Sequence, residues 1–245
     1  MPVFAGETEG AAAPLRGLAR GSFVAGRESS PLFCASGIGC GGAASCLTQD
    51  FALALGGSLG GAMRILIFGG SGAGSSTLGR ALASARDSQH FDSDDFFWRP
   101  SDPPFQERRP EPERLALMQA LFLPRSDWVL SGSLVDWGAA VLPRLSHAVF
   151  LTLPGAQRLA RLKARERRRY GARIGPGGDM AAVHRAFIDW AASYDDPGFG
   201  QRSRARHEAW AAEFPCPLLR LESARPVAAL VEELCAWLDR EAGAA

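Results

Sequence analysis

Hydrophobic positions along the chain fall into two regimes that meet near residue 63. Residues 1–62 are dominated by Gly, Ala and Ser and show no sustained period of two or of 3.6. Such a stretch buries too little apolar surface to offset the entropy of ordering it. It is read either as a disordered extension or as sequence upstream of a true start at Met63, and the second reading is favoured. From Met63 to the C-terminus (63–245), short β-branched or aromatic runs alternate with helical periodicities. That alternation predicts an α/β domain on a parallel sheet.

Residues 64–68 read as the first strand and 77–85 as a helix, while His90-Phe91-Asp92 ends a second strand. Residues 112–122 are predicted helical, with Leu115, Met118, Leu121 and Phe122 on one face. Strands three, four and five are placed at 128–132, 148–153 and 217–221. Between the last two lie a strongly basic helix, 157–169, and an amphipathic one carrying Val183, Phe187, Trp190 and Tyr194, with Asp179 as its cap. A closing helix has Pro226 in its first turn and Val227, Leu230, Val231, Leu234 and Leu238 facing inward.

Between the first strand and first helix runs Gly69-Gly70-Ser71-Gly72-Ala73-Gly74-Ser75-Ser76-Thr77. It matches G-x-x-x-x-G-K-[ST] at every fixed position except the lysine, where Ser75 stands. Glycines let successive N–H groups turn into one concavity, and the helix that follows adds its N-terminal dipole. Ser76 holds the position whose hydroxyl binds Mg²⁺. A glycine-rich linker is the plain alternative. The hydrophobic strand before the loop and the helix after it (Leu78, Ala81, Leu82) favour a site for ATP or another nucleoside triphosphate. The absent lysine normally offsets charge on the transferred phosphate. Either an arginine compensates or the site binds nucleotide without rapid turnover, and the sequence leaves both open.

Asp92, Asp94 and Asp95 stand where the second strand ends, the end of an open α/β sheet that receives ligands. If the chain stays extended there, Asp92 and Asp94 project alike. One carboxylate would hold Mg²⁺ through water, with Asp92 the better candidate, and the other would orient or deprotonate an acceptor hydroxyl. A solvated acidic turn, or a cap for a short helix through Phe96, is the alternative. Ser131-Gly132-Ser133 either faces an acceptor in the same cleft or merely turns the chain, and Trp98, Phe105, Arg108 and Arg109 lie in a Pro-rich loop.

On the basic helix Arg161, Arg165 and Arg169 share a face, and a Gly-rich stretch follows at 170–178. This is read as a helical lid that clamps phosphate, against the alternative of a solvated basic face. Arg202, Arg204 and Arg206 form a second cluster that is a further candidate to reach phosphates, and His90, His147, His184 and His207 show no metal-ligand pairing.

Composition trims the possibilities. The 245 residues carry 27 basic and 26 acidic side chains, a net charge of +1 that argues against a dedicated nucleic-acid binder. Lys163 is the single lysine. No apolar run reaches the roughly 20 residues of a bilayer span, so a cytoplasmic protein acting on a small molecule or nucleotide is expected. The five cysteines have no CxxC or Cys/His spacing for zinc.

These pieces together, Gly69 to Thr77, Phe91-Asp92-Ser93-Asp94 and the Arg161/Arg165 helix leading to a lid, resemble the nucleoside monophosphate kinase and shikimate kinase-like branch of P-loop proteins. Within it the chain is most similar to small bacterial adenylate kinase-like ATPases whose loop lacks lysine. The resemblance implies a three-layer α/β/α fold, a five-stranded parallel sheet of order 2-3-1-4-5, and an ATP- and Mg²⁺-dependent kinase. It also implies Ser76 and Asp92 on Mg²⁺, Asp94 on the acceptor, Arg161 at the nucleotide, and Arg165 on adenine or a phosphate. Ser75 sets the chain apart from ordinary kinases of that branch.

Overall fold

A computed structural model describes residues 62–244. Apart from Ala62, the stretch 1–62 lies outside the described residues, and so does the reading made of it. β1 (Arg64–Gly69) is apolar on both faces and takes the centre of a five-stranded sheet. The others are β2 (His90–Asp92), β3 (Trp128–Ser131), β4 (His147–Thr152) and β5 (Leu218–Glu222), and the order is β2-β3-β1-β4-β5. Every pairing is parallel, with Ile65 opposite Val129 on one side and His147 on the other. This is the order that the resemblance implies.

The strand period of two splits the core into two layers. Leu66 and Phe68 face a cluster with Trp128, Leu130 and Phe150. That cluster is covered by α2 (Ser93–Phe97), α3 (Glu111–Leu121) and α6 (Arg204–Ala211) through Phe96, Met118 and Trp210. Ile65 and Ile67 face the other side with Val129, Val149 and Leu151. There α1 (Ser75–Ala85) brings Leu78 and Leu82, and α7 (Val227–Ala244) brings Leu230, Leu234 and Leu238. Between β4 and β5 run α4 (Gly155–Tyr170) and α5 (Ala181–Ala192), joined by a short 3₁₀ turn at Gly171–Ile174. No helix among the described residues is long and apolar enough to cross a membrane.

Several local expectations change. Leu121 is 49% exposed, because Arg114 instead turns inward and lays its guanidinium 3.8 Å from the Phe97 ring centroid. Val227 is also exposed, at the first turn of α7 where the helix has not yet reached the sheet. Asp179 does not cap α5: the cap position falls to Met180, and the Asp179 carboxylate is drawn 2.7 Å from Arg173. Tyr194 is past the end of α5, buried in a 3₁₀ turn at Ser193–Asp195. The chain is not extended through the acidic cluster either. β2 stops at Asp92 and α2 starts at Ser93, with Asp92 Oδ1 accepting from the Asp94 amide at 3.1 Å as its N-cap.

Candidate functional site

The loop between β1 and α1 emerges at the carboxyl end of the central strand, where β3 and β4 diverge to either side. Gly72 and Gly74 sit at φ 89° and 99°, in the left-handed region that costs a side-chain-bearing residue energy. The Ala73 amide donates to Gly70 O at 2.9 Å and the Thr77 amide to Gly74 O at 3.0 Å, closing the loop on itself. No side chain caps α1 and no acid lies in its first turn. Its leading N–H groups therefore remain available to an anion, aided by the helix dipole.

Two residues brace this loop from below. The ring of Tyr194 packs so close under Gly70 that an added Cβ there would lie 2.8 Å from the ring. Arg158, which reads in the sequence as one more exposed basic residue, is buried. Its Nη1 donates to Ser71 O at 3.1 Å and to Ala191 O at 3.0 Å, and its Nη2 bonds Asp195 at 3.1 Å. The guanidinium also lies 4.6 Å from the Tyr194 ring centroid. Loop, α4 and the end of α5 are thus tied through one side chain.

At the start of α1 the Ser76 hydroxyl donates to Asp92 Oδ2 at 2.5 Å. Position eight of the loop and the end of β2 therefore meet, giving a hard-oxygen pair of the kind Mg²⁺ takes when waters and phosphate oxygens complete its shell. Asp94, one helical step on, is reached by solvent from the cleft yet has protein packed densely around it. That desolvation, and next the negative charge of Asp92, push its pKa up to about 6, against the pull of Arg202 and Arg165. Asp95 is raised too, again first by burial.

The arginines divide by role. Arg161 spans from α4 to the turn after β5, its Nη2 donating to Ser223 O at 2.9 Å, and its Nη1 would lie 4.0 Å from a Cβ added at Gly74. Arg165 pairs with Glu166 at 3.0 Å and acts on Asp94 through its field alone. Arg169 lies 5.9 Å from the Phe105 ring centroid. In the segment after α4, Arg173 bonds both Asp179 and, at 3.1 Å, Asp102 of the Pro-rich loop. That loop is closed at its base by an antiparallel bridge between Trp98 and Arg108. Lys163 lines a groove of about 410 Å³ with Arg167, His184 and Arg185, and no phosphate-loop residue borders it.

Tyr194 and His207, which the sequence did not place at the site, belong to it, and Arg202, read in the sequence as part of a second arginine cluster within reach of phosphates, meets the loop. Arg202 donates from Nη2 to Ser71 Oγ at 3.0 Å and lies 4.7 Å from the Trp190 ring centroid. His207 is buried, its Nδ1 2.7 Å from the Tyr194 hydroxyl and its Nε2 2.9 Å from Ser133 Oγ. Burial first, then the charges of Arg202 and Arg206, lower its pKa to about 3, so the imidazole is neutral. Tyr194, raised by burial, stays a phenol. Ser131 is likewise engaged, 2.9 Å from His90 Nε2. Both serine hydroxyls at the end of β3 are therefore committed to histidines. For Arg202 the sequence signal was its place in an arginine cluster, and for His207 there was none, since the network joins positions 133, 194 and 207 across three elements.

No family model matches the chain. Among curated proteins it is 37% identical over 175 residues to the uncharacterized protein YqaC of Bacillus subtilis (strain 168), covering 71% of this chain and 97% of that protein. Among solved structures it is similar to a gluconokinase from Sinorhizobium meliloti 1021, with 18% identity, 74% and 94% coverage of the two chains, and a TM-score of 0.45. It is also similar to the shikimate kinase of Aquifex aeolicus vf5, with 15% identity, 74% and 98% coverage, and a TM-score of 0.44. The strand order and the loop geometry described above, rather than these distant likenesses, define the fold.

Proposed function

The chain belongs to the family of the Bacillus subtilis protein YqaC, and from the geometry of its site we propose an ATP- and Mg²⁺-dependent phosphotransferase acting on a small hydroxyl- or phosphate-bearing acceptor. The observation that carries the proposal is the meeting of Ser76 with Asp92 at 2.5 Å, with Asp94 one helical step away. The nucleotide phosphates lie in the concavity of residues 69–77, held by backbone N–H groups and the dipole of α1. Adenine lies toward Arg161 and the turn at Ser223, where a guanidinium and backbone already face each other.

Ser76 and Asp92 hold Mg²⁺ in this reading, and the ion's part is to neutralise phosphate charge. Asp94 takes the proton of the acceptor hydroxyl. A carboxyl with pKa near 6 is a stronger base than an ordinary aspartate and still ionised at neutral pH. Phosphoryl transfer asks for positioning and charge stabilisation more than covalent participation by the protein. The braces from Tyr194 and Arg158 supply a fixed cradle, and arginines supply positive charge.

Calorimetric titration of ATP into the chain with and without Mg²⁺, followed by turnover with a panel of nucleoside monophosphates and small alcohols, tests the reading. Mg²⁺-dependent micromolar binding and transfer to at least one acceptor are expected. Absence of ATP binding would remove it. Binding without transfer to any acceptor would favour the second reading, a nucleotide-binding regulatory module acting through a partner, which Ser75 in place of lysine keeps in view.

A further inference from the structure

Resting on that reading, we infer that Arg202 supplies the positive charge that the phosphate loop lacks at Ser75, contacting the terminal phosphates of the bound nucleotide.

Three independent features single it out. The first is position. Its Nη2 is 3.0 Å from Ser71 Oγ, on the loop itself, whereas Arg158 spends its donors on Ser71 O, Ala191 O and Asp195. Arg161 is solvent-exposed and turned to Ser223 O, Arg165 pairs with Glu166, and Lys163 lines a groove that the loop does not border.

The second is incomplete satisfaction. A guanidinium has five N–H donors and no way to shed its charge. Arg202 forms one hydrogen bond and, among the described residues, no ion pair; its Nε is buried without a partner. Arg158, fully buried where Arg202 is half-buried, has its carboxylate at 3.1 Å. A desolvated cation left short of acceptors is costly unless an anion arrives. Burial lowers the pKa of Arg202, and the fields of Asp94 and Tyr194 are what oppose that, with no carboxylate in contact.

The third is support. The face of Trp190, whose Nε1 donates to Gln201 at 2.9 Å, lies 4.7 Å from the guanidinium carbon. That cation–π contact holds the guanidinium beside the loop, where its fork of donors suits phosphate contact. Arg202 also acts on Asp94 through its field, so one cation would influence both the transferred phosphate and the acceptor's base. The position is productive for transfer as well as for binding.

The experiment is calorimetric titration of MgATP into the full chain carrying Arg202→Ala, Arg202→Lys, Arg202→Gln, or Arg202→Ala together with Ser75→Lys. The Ala and Gln variants are expected to weaken MgATP roughly 10- to 100-fold, as loss of a charge-assisted phosphate contact does. Arg202→Lys is expected to keep most of the affinity, and Ser75→Lys to restore it in the Arg202→Ala background by returning a charge to the loop. Wild-type binding with an unchanged constant in Arg202→Ala overturns the assignment and leaves nucleotide binding standing. So does Gln matching Arg while Lys fails, which would make the residue a hydrogen-bonded strut. If the Ala variants do not fold, the Lys and Gln pair decides. No MgATP binding by the wild-type chain overturns both readings.

Discussion

Ser76 and Asp92, one at the start of a helix and the other at the end of a strand, share a hydrogen bond of 2.5 Å. The bond spends the serine proton on a carboxylate and leaves the serine lone pairs for other partners, while the second carboxylate oxygen already accepts from the Asp94 amide. Oxygen ligands held by different elements are sensitive to small displacements. Replacing Ser76 with Ala is expected to weaken ATP binding in Mg²⁺ by about tenfold or more and to leave binding in EDTA near the wild-type value. Paired titrations in the two buffers check this. Equal losses in both would show that the hydroxyl acts on phosphate and not on the ion.

Asp94→Asn keeps size and polarity and removes the proposed base. Turnover is expected to fall roughly 10²- to 10⁴-fold, with the ATP dissociation constant changed by less than about threefold, since uniform nucleotide binding does not use the base. The wild-type rate should show an acid limb near pH 6, where the carboxyl takes up its proton. Steady-state rates from pH 5 to 8 would expose it. A rate indifferent to pH across that range would take Asp94 out of the proton transfer.

The same two titrating groups pull stability in opposite directions. Asp94 is raised from 3.8 to about 6, so the folded state binds more protons than the unfolded state in that window and stability falls as pH rises through it. His207 is lowered from 6.5 to about 3, so the unfolded state binds more, and stability is lost as pH falls from 6.5 toward 3. Relative to wild type, Asp94→Asn should gain about 1 kcal/mol at pH 7.5 after discounting for solvent, roughly 2–4 °C in Tm, and the gain should vanish by pH 4. His207→Gln should flatten the acid side by up to about 1.4 kcal/mol per pH unit. Melting curves between pH 4 and 8 read both, and slopes of the same sign would contradict the assignment.

Gly70 tests the brace. Alanine there puts a methyl carbon against the Tyr194 ring, and the ring cannot retreat without breaking its bond to His207. A cost of about 1–3 kcal/mol is expected, together with a loss of ATP affinity of roughly tenfold or more as the loop shifts. Denaturant unfolding and titration of Gly70→Ala measure the two. Unchanged affinity would separate the loop from the tyrosine.

Much of this architecture was legible along the chain because β1 and its loop are local: six strand residues, a run of glycines and a helix lie in sequence order. Asp92 and Ser76 were placed together by the same logic, since strand ends of a parallel sheet converge on one edge. What escaped was whatever depends on partners distant in sequence. Arg158 reads like its basic neighbours on α4 but is buried, because three acceptors from separate segments converge on it. Leu121 reads as core by period yet is exposed, since Arg114 stacks inward on Phe97. The His207 network left no periodicity to detect, because its three members stand on a turn, a loop and a helix. Asp179 shows the limit of capping rules: a carboxylate at a helix entrance goes to a guanidinium when one is within reach.

The contact between Ser71 and Arg202 joins positions 131 residues apart. In a loop that carries its own lysine, cradle and charge are made by the same few residues and move as one. With Arg202 in the proposed role, the cradle here is local and the charge is lent by a distant stretch of chain. Nucleotide affinity is thereby tied to whether that stretch is docked, and the electrostatics of the site become adjustable without any change in the loop's shape.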